Sequence, residues 1–254
     1  MKRIFGHVVS LLVVGLAVSA ALPACATNDQ SIYISKALAP AITRTNGVCS
    51  YTNDPAQPAL FQATLDLGVT DSYQAILLVG NQLTPRADPQ NNRAESMRVH
   101  INGAIVRVTE TDGTLIREFT SVATGFADPG SSQPGFGTIG VTGLDAPTKD
   151  ILLPSLPNRA VSRTVLMNFK AFGVTLGGED LESGEFQLPI RVCNGCLVDF
   201  STGNDDLAMV QPNCKKKATT AASTTQNPCV LGQDEPVKCE LCVATKKACD
   251  PLTP

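Results

Sequence analysis

Aromatic side chains and histidines are scarce in this chain. Its 254 residues include no tryptophan, three tyrosines and two histidines. Because sugar rings usually stack on aromatic faces in their binding sites, this scarcity argues against a carbohydrate-binding module. No HExxH, GxSxG or P-loop pattern occurs, and His100 lies in the apparent strand MRVHI without a glycine-flanked serine nearby. We therefore predict no catalytic residue, no resident cofactor and no enzymatic activity.

Long apolar runs are also missing. The longest, VVSLLVVGLAVSAA (Val8–Ala21), is shorter than the roughly 20 apolar residues that a membrane-spanning helix needs. It follows Lys2 and Arg3 and ends in small residues, an order typical of a secretory signal peptide. A buried N-terminal core helix is the alternative. We interpret residues 1–24 as a signal peptide.

The residues that close this segment resemble the bacterial lipobox. Leu22-Pro23-Ala24-Cys25 has leucine three positions before the cysteine and a small residue directly before it, with Pro23 where Ala or Ser is usual. The resemblance implies that Cys25 is the lipidation site and becomes the first residue of the mature chain. Because each buried methylene contributes about 0.8 kcal/mol, several acyl chains hold such a protein on a bilayer. Ala26, in place of Asp, implies an outer-membrane location in these lipoproteins, on either its periplasmic or its cell-surface face.

The chain has no surplus of positive charge. Its formal net charge is −3, and removal of residues 1–24 takes away two positive charges and no negative ones, which leaves −5. Nucleic-acid binding depends on clustered Lys and Arg, so no nucleic-acid partner is predicted. The basic run Lys215-Lys216-Lys217 lies in a Thr/Ser-rich stretch typical of a solvated linker.

Cysteine, by contrast, is abundant. Without Cys25, eight of the nine cysteines remain, an even number in a chain predicted to enter an oxidising compartment. Cys49 could tie the start of the folded region to the C-terminal tail, but the sequence alone fixes no pairing. The disulfide candidates are Cys49, Cys193, Cys196, Cys214, Cys229, Cys239, Cys242 and Cys249.

Two CxxC pairs, at Cys193/Cys196 and Cys239/Cys242, have alternative interpretations. A zinc ribbon typically places about 15–20 residues between its pairs. Here two further cysteines and a much longer stretch intervene. Thioredoxin-like redox chemistry would be expected within a βαβ pattern, which neither pair has. We therefore predict structural disulfides and no metal site, with zinc and redox chemistry as alternatives.

Alternation with a period of two residues dominates from Ala59 onward. In ALFQATLDL the apolar face is Phe61, Ala63, Leu65 and Leu67, while SYQAILLVGNQL is apolar on both faces, as in a central strand. AIVRVTE, TDG and TLIREFT together predict a hairpin, since an Asp-Gly pair suits a tight turn. Asn102-Gly103 predicts a further turn or a bulge. Because no mature stretch keeps a helical period, the sequence predicts an all-β fold.

The segments SYQAILLVGNQL and RVHINGAIVRV resemble strands of immunoglobulin-like and fibronectin-like periplasmic domains. The resemblance implies an immunoglobulin-like β-sandwich followed by a disulfide-rich, mostly irregular C-terminal tail. We divide the mature chain into a polar, irregular lipidated tether (25–48), the sandwich (49–200) and a cysteine-rich segment packed on or tethered to it (201–254). Gly and Pro predict a loop over 125–140, and Pro189 predicts an edge or bulged strand.

The acidic stretch GGEDLESGE (177–185) is a weaker candidate site. Glu179, Asp180 and Glu182 could form a calcium loop or a glycosidase-like carboxylate pair. They lack the regular ligand spacing of an EF-hand loop, and a solvated turn explains them equally well.

Taken together, the patterns favour a non-catalytic cell-envelope lipoprotein whose β-sandwich binds or spaces another envelope protein. The predicted partners are the membrane, through the lipid anchor, and an unidentified envelope protein. A small-molecule or sugar-binding envelope module is the alternative. An envelope hydrolase would need catalytic groups that the sequence does not supply.

Overall fold

The structure is a computed structural model that describes residues 31–40, 44, 49–199 and 228–238. Strands dominate these residues, so the predicted all-β class is confirmed. The strands are β1 (Ile32–Ala37), β2 (Ala63–Asp66), β3 (Tyr73–Asn81), β4 (Val99–Thr109), β5 (Leu115–Ala127), β6 (Gly135–Leu144), β7 (Ser162–Thr175), β8 (Asp180–Glu182), β9 (Phe186–Cys193), β10 (Val198–Asp199) and β11 (Val237–Lys238). One α-helix, α1 (Ala146–Leu152), and two 3₁₀ turns (Pro89–Asn91 and Leu153–Ser155) accompany them.

The strands form two main sheets and one short pair. The smaller sheet has the order β1-β3-β6 and is antiparallel throughout. The larger has the order β2-β9-β7-β4-β5, with β8 also paired to β7. Its pairs are antiparallel except β2–β9, which is parallel. β10 and β11 form a separate parallel pair.

Both main sheets contribute to one hydrophobic core. Leu77 of β3 and Ile139 of β6 belong to the same buried cluster as Val106 of β4 and Phe169 of β7. Each of these side chains is at most 2% exposed. Full burial of one such side chain contributes about 1.5–3 kcal/mol, so the core is the main source of stability.

The β4–β5 hairpin confirms the strongest local prediction. The two strands pair from Val99 with Ala127 to Thr109 with Leu115. Gly113 in the connecting turn has a φ of 89°, which glycine adopts at little cost. The register shifts between Ile101 and Gly103 on both sides of β4, so the predicted irregularity at Asn102-Gly103 is a bulge.

The predicted irregular tether over 25–48 is wrong for its central part. Ile32–Ala37 forms β1, the edge strand that pairs with β3. Ile32 and Ile34 point into the core, and Tyr33 between them is half-buried, as expected for alternating faces of a strand. The polar residues around this short alternation concealed it, so the folded region starts before the predicted boundary at Cys49.

The predicted loop over 125–140 is also wrong for much of its length. β5 continues to Ala127 and β6 begins at Gly135, so the connection between them is short. A Cβ atom on Gly137 would lie 2.1 Å from the carbonyl oxygen of Phe126. Glycine here therefore permits close approach of two backbones and does not interrupt the strand.

Two smaller differences from the sequence predictions concern the position of Phe61 and the presence of the helix α1. Phe61, predicted on the apolar face of ALFQATLDL, lies before β2 and is 85% exposed, whereas Ala63 and Leu65 are fully buried. The helix α1 was not predicted because it has only seven residues. Its N-cap is Asp145, whose carboxylate accepts a hydrogen bond from the backbone N–H of Thr148.

Pro189 lies in an internal strand, not at an edge of the sheet. β9 pairs along β7 from Phe186 to Cys193, while β2 covers only its last four residues, from Ile190. Pro189 therefore lies just before the part of β9 that is paired on both sides. There its missing N–H interrupts no hydrogen bond to β2.

The described part of the C-terminal tail packs on the domain. Val237 of β11 is fully buried, and its N–H donates to the carbonyl of Leu197. A disulfide joins Cys229 to Cys49, 180 positions earlier in the chain. Among the described residues, no helix has the length and apolar character needed to cross a membrane.

Candidate functional site

The predicted site cysteines fall into two groups, those that the structure describes and those that it does not. Four of the disulfide candidates form the pairs Cys49–Cys229, with Cα atoms 5.7 Å apart, and Cys193–Cys196, with Cα atoms 5.8 Å apart. These pairs fit the predicted use of cysteine as a cross-link. The remaining cysteines lie outside the described residues: Cys25, the predicted lipidation site, and Cys214, Cys239, Cys242 and Cys249.

The Cys193–Cys196 disulfide lies beside the carboxylate of Asp66, the last residue of β2. One ligand-type atom from each of these three residues lies within 4.8 Å of the others. Sequence reasoning missed Asp66 because the alternation in ALFQATLDL places it on the polar face. It is fully buried, because β2 ends there and its side chain turns into the loop that follows β9.

Backbone amides occupy both oxygens of the Asp66 carboxylate. Oδ1 accepts hydrogen bonds from the N–H groups of Gly195 (2.6 Å) and Gly68 (3.0 Å), and Oδ2 accepts one from Leu197 (2.9 Å). Burial raises the pKa of this carboxyl above its usual value, against the opposing effect of these hydrogen bonds. Together with the disulfide, these hydrogen bonds order the turn Cys193-Asn194-Gly195-Cys196, which we call the CNGC turn.

Residues 228–238 form a second polar cluster on the domain, which we call the clasp. The side chain of Gln233 replaces a strand partner: its Oε1 accepts from Gln74 N–H (2.9 Å), and its Nε2 donates to Gln74 carbonyl oxygen (2.6 Å). Asp234 accepts a hydrogen bond from Thr64 N–H (2.7 Å) and one from the hydroxyl of Tyr73 (2.9 Å). The clasp therefore binds one strand from each main sheet.

Burial raises the pKa of the Asp234 carboxyl in the clasp. The pKa of Asp234 is raised chiefly by desolvation, and the pKa of Tyr73 is raised by its own burial and by Asp234. Glu235 adds an ion pair with Arg44 and accepts a hydrogen bond from the N–H of Cys229 (2.8 Å). The Cys49–Cys229 disulfide thus lies among several non-covalent contacts.

A different kind of surface lies on the larger sheet, on the side away from the core. We call it the apolar outer face and define it by Ile105, Val122, Phe126, Phe172 and Val174. Val122 is 85% exposed and Phe126 is 42% exposed, and the other three are half-buried. The sequence signal for this face is weak, because β5 carries phenylalanines of opposite parity, Phe119 and Phe126.

The β4 bulge brings the apolar outer face together. Gly103 pairs with Val122 on one side and with Phe172 on the other. A Cβ atom on Gly103 would lie only 3.1 Å from the ring of Phe172, so the ring lies over the glycine. The absence of a side chain at Gly103 therefore leaves room for a continuous apolar row across three strands.

Ion pairs surround this row. Arg107 lies 3.2 Å from Glu118 and 3.3 Å from Glu185. Arg98 pairs with Asp128 at 3.0 Å, and its guanidinium lies 4.6 Å from the centre of the Phe126 ring. An apolar centre with a charged rim is the composition of many protein–protein interfaces.

His100 and the acidic stretch lie at the margin of the same face. The imidazole of His100, in β4, stacks on Phe126 with ring centres 4.7 Å apart and lies 3.1 Å from the hydroxyl of Thr124. Asp180 and Glu182 lie in β8, and Glu182 forms an ion pair with Lys170 of β7. This part of the stretch is a strand instead of the solvated turn suggested by its composition.

Comparison with protein-family models, with curated proteins and with solved structures finds no match to this chain.

Proposed function

We propose that this chain is a non-catalytic outer-membrane lipoprotein whose immunoglobulin-like β-sandwich binds another protein of the cell envelope. The lipobox resemblance supports attachment through Cys25. The exposed apolar outer face is the observation that carries the binding role. The partner is expected to present an apolar surface to Val122 and charged groups to the surrounding ion pairs.

The order and direction of the strands support an immunoglobulin-like topology. In that topology one sheet contains strands A, B and E, and the other contains G, F and C, with C′ added in variable-type domains. Here β1-β3-β6 corresponds to the first set and β9-β7-β4-β5 to the second. β2 follows β1 in sequence but joins the other sheet, alongside β9. A fold of this kind serves many functions, so the binding role rests on the surface.

The character of the surface favours a protein partner. Isolated exposed apolar residues are common, but Val122 lies next to the Phe172–Gly103 contact and in the same sheet face as Phe126. The row runs across β5, β4 and β7 on the exposed side of the sheet. An open apolar surface of this kind suits a protein better than a small molecule, which is usually enclosed in a cleft.

A matched pair of variants tests this proposal. Val122→Asp places a charge in the middle of the apolar outer face, whereas Phe61→Asp places one at an equally exposed position, 85% in both cases, on another surface. After cross-linking in intact cells, we expect the wild-type protein and Phe61→Asp to capture one stoichiometric envelope protein. Val122→Asp should capture at least tenfold less, because charges at interface centres are strongly disfavoured.

Equal capture by both variants would rule out the apolar outer face as the binding surface. Absence of any stoichiometric partner from the wild type would overturn the binding role itself. The intact mass of the protein from its own membranes tests the anchor separately: residues 25–254 plus acylated lipid is the expected species.

A further inference from the structure

The connection between the proposed anchor and the folded domain is short. β1 begins at Ile32, and only six peptide steps separate Cys25 from Ser31. A fully extended chain spans at most about 3.3–3.6 Å per residue, so a connection of this length cannot exceed about 20 Å. The nine residues of β3 alone span about 30 Å at 3.2–3.4 Å each. The connection is therefore shorter than the domain, which limits how the domain can be placed on the membrane.

Strand pairing shows which end of the domain this connection reaches. Ile32 pairs with Asn81, the last residue of β3, and Asn81 also pairs with Gly135, the first residue of β6. The side-chain amide of Asn81 donates to the carbonyls of Met97 (2.9 Å) and Ala127 (3.0 Å). The start of β4 and the end of β5 therefore lie at the same end. We call it the anchor end.

The clasp lies at the opposite end of the domain. The clasp contacts Tyr73 and Gln74, at the start of β3. Beside it, β10 and β11 pair in parallel, so Asp199 and Lys238 are neighbours. The Cys193–Cys196 disulfide lies at this end too, since Cys193 pairs with Ser162, the first residue of β7.

From this geometry we infer that the lipidated protein stands on the membrane with its anchor end toward the bilayer. The end that carries the clasp and the Cys193–Cys196 disulfide is directed away from it. The inference rests on the proposed lipidation of Cys25. The partner of the anchor end is the lipid surface, and the clasp faces away from that surface.

Charge does not produce this orientation. The anchor end carries Arg86, Arg93 and Arg98, but more acidic residues are near them: Asp88, Glu95, Asp128, Glu179 and Asp180. An anionic lipid surface would therefore exert no net attraction on it. The orientation follows from chain length alone and should not change with salt concentration.

Energy transfer to the membrane tests the orientation. The mature lipidated protein, purified from its own membranes, is reconstituted into phosphatidylethanolamine–phosphatidylglycerol vesicles that contain a rhodamine-labelled lipid. A fluorescent non-canonical amino acid, which adds no cysteine, replaces one of two exposed residues: Ser131, in the loop before β6 at the anchor end, or Thr111, at the tip of the β4–β5 hairpin. We expect at least twofold stronger quenching at Ser131, with the same ratio at low and high salt.

A lengthened connection provides the control. Insertion of ten Gly/Ser residues after Asp29 should bring the quenching at the two positions close together, because the domain can then turn freely. A difference that persists after insertion would overturn the chain-length argument. Equal or reversed quenching in the lipidated wild-type protein would overturn the orientation while leaving the anchor intact. A mass without lipid would overturn the anchor, and the orientation with it.

Discussion

Replacement of Gln233 by alanine tests whether the clasp is an integral part of the fold. Gln233 is 7% exposed, and both polar atoms of its amide bind the backbone of Gln74, 159 positions away. The substitution removes both hydrogen bonds and leaves the donor and the acceptor of Gln74 without their partner. The expected result is a lower free energy of unfolding together with local loosening at the start of β3.

The structure sets the size of this effect. A hydrogen bond contributes about 0.5–1.5 kcal/mol net, and leaving a fully buried group unpaired costs about 1–3 kcal/mol. The side chain of Gln74 is exposed, so water can reach its backbone once Gln233 is truncated. The lower figures therefore apply, and we expect a loss of about 1–3 kcal/mol.

Urea unfolding with all disulfides intact measures this loss. Because the chain has no tryptophan, far-UV circular dichroism is the suitable signal. Gln90→Ala, at an exposed position in the first 3₁₀ turn, is the control and should change stability by less than about 0.5 kcal/mol. Hydrogen exchange should show faster exchange of the Gln74 amide in Gln233→Ala alone. Equal stabilities of the two variants, with Gln74 exchange unchanged, would show that the clasp is not docked as the structure describes.

Three further predictions concern carboxylates. Asp66→Ala should lower the free energy of unfolding by about 3 kcal/mol or more, because three backbone N–H groups lose their acceptor. A loss below about 1 kcal/mol in urea unfolding would contradict the role of Asp66 in ordering the CNGC turn. Asp145→Ala should lower the free energy of unfolding by about 1 kcal/mol, because it removes the N-cap of α1. It also removes the partner of Arg117, at 3.0 Å. The same loss in a protein that already lacks Arg117 would assign the effect to the N-cap. The third prediction is a dependence on pH. Asp66 and Asp234 have raised pKa values in the folded protein, so they bind protons more tightly there than in the unfolded chain. Their contribution is complete below about pH 4, the ordinary range of Asp, and is lost as the pH rises through the folded pKa. Urea midpoints should therefore fall as the pH is raised above the ordinary range of Asp, and Asp234→Asn should make this decrease smaller. An equally large decrease in Asp234→Asn would show that this carboxyl is not the cause.

The sequence predicts the structure correctly where residues close together in the chain determine it. The β4–β5 hairpin depends on two adjacent alternating segments and an Asp-Gly turn, all within 30 residues. The central position of β3 followed from its apolar residues on both faces. For the hairpin, the alternation of apolar residues and the turn residues favour the same structure.

The failures share a different cause. Gly135 and Gly137 indicate a loop by composition, but they are glycines because β6 lies close to the backbone of Phe126 in β5 and of Asp128 directly after it. Only the packing of the two strands shows this. Likewise, β1 is short and polar on one side, and it becomes a strand by pairing with β3 some 45 residues later. Tertiary contacts outweighed local propensity at both places.

The polar clusters of the domain were the least predictable features, since they depend on contacts that the chain makes across long separations. Asp66 looks like the polar half of an alternating strand until the CNGC turn, about 130 residues later, supplies its donors. Gln233 and Asp234 lie in a tail that is poor in large apolar residues, yet the clasp inserts polar side chains where the sheets end. Burial of such groups is tolerable only because each has a partner. The clasp and the Cys49–Cys229 disulfide therefore stabilise the same junction in complementary ways: the disulfide restricts the unfolded chain, while the hydrogen bonds define the docked position.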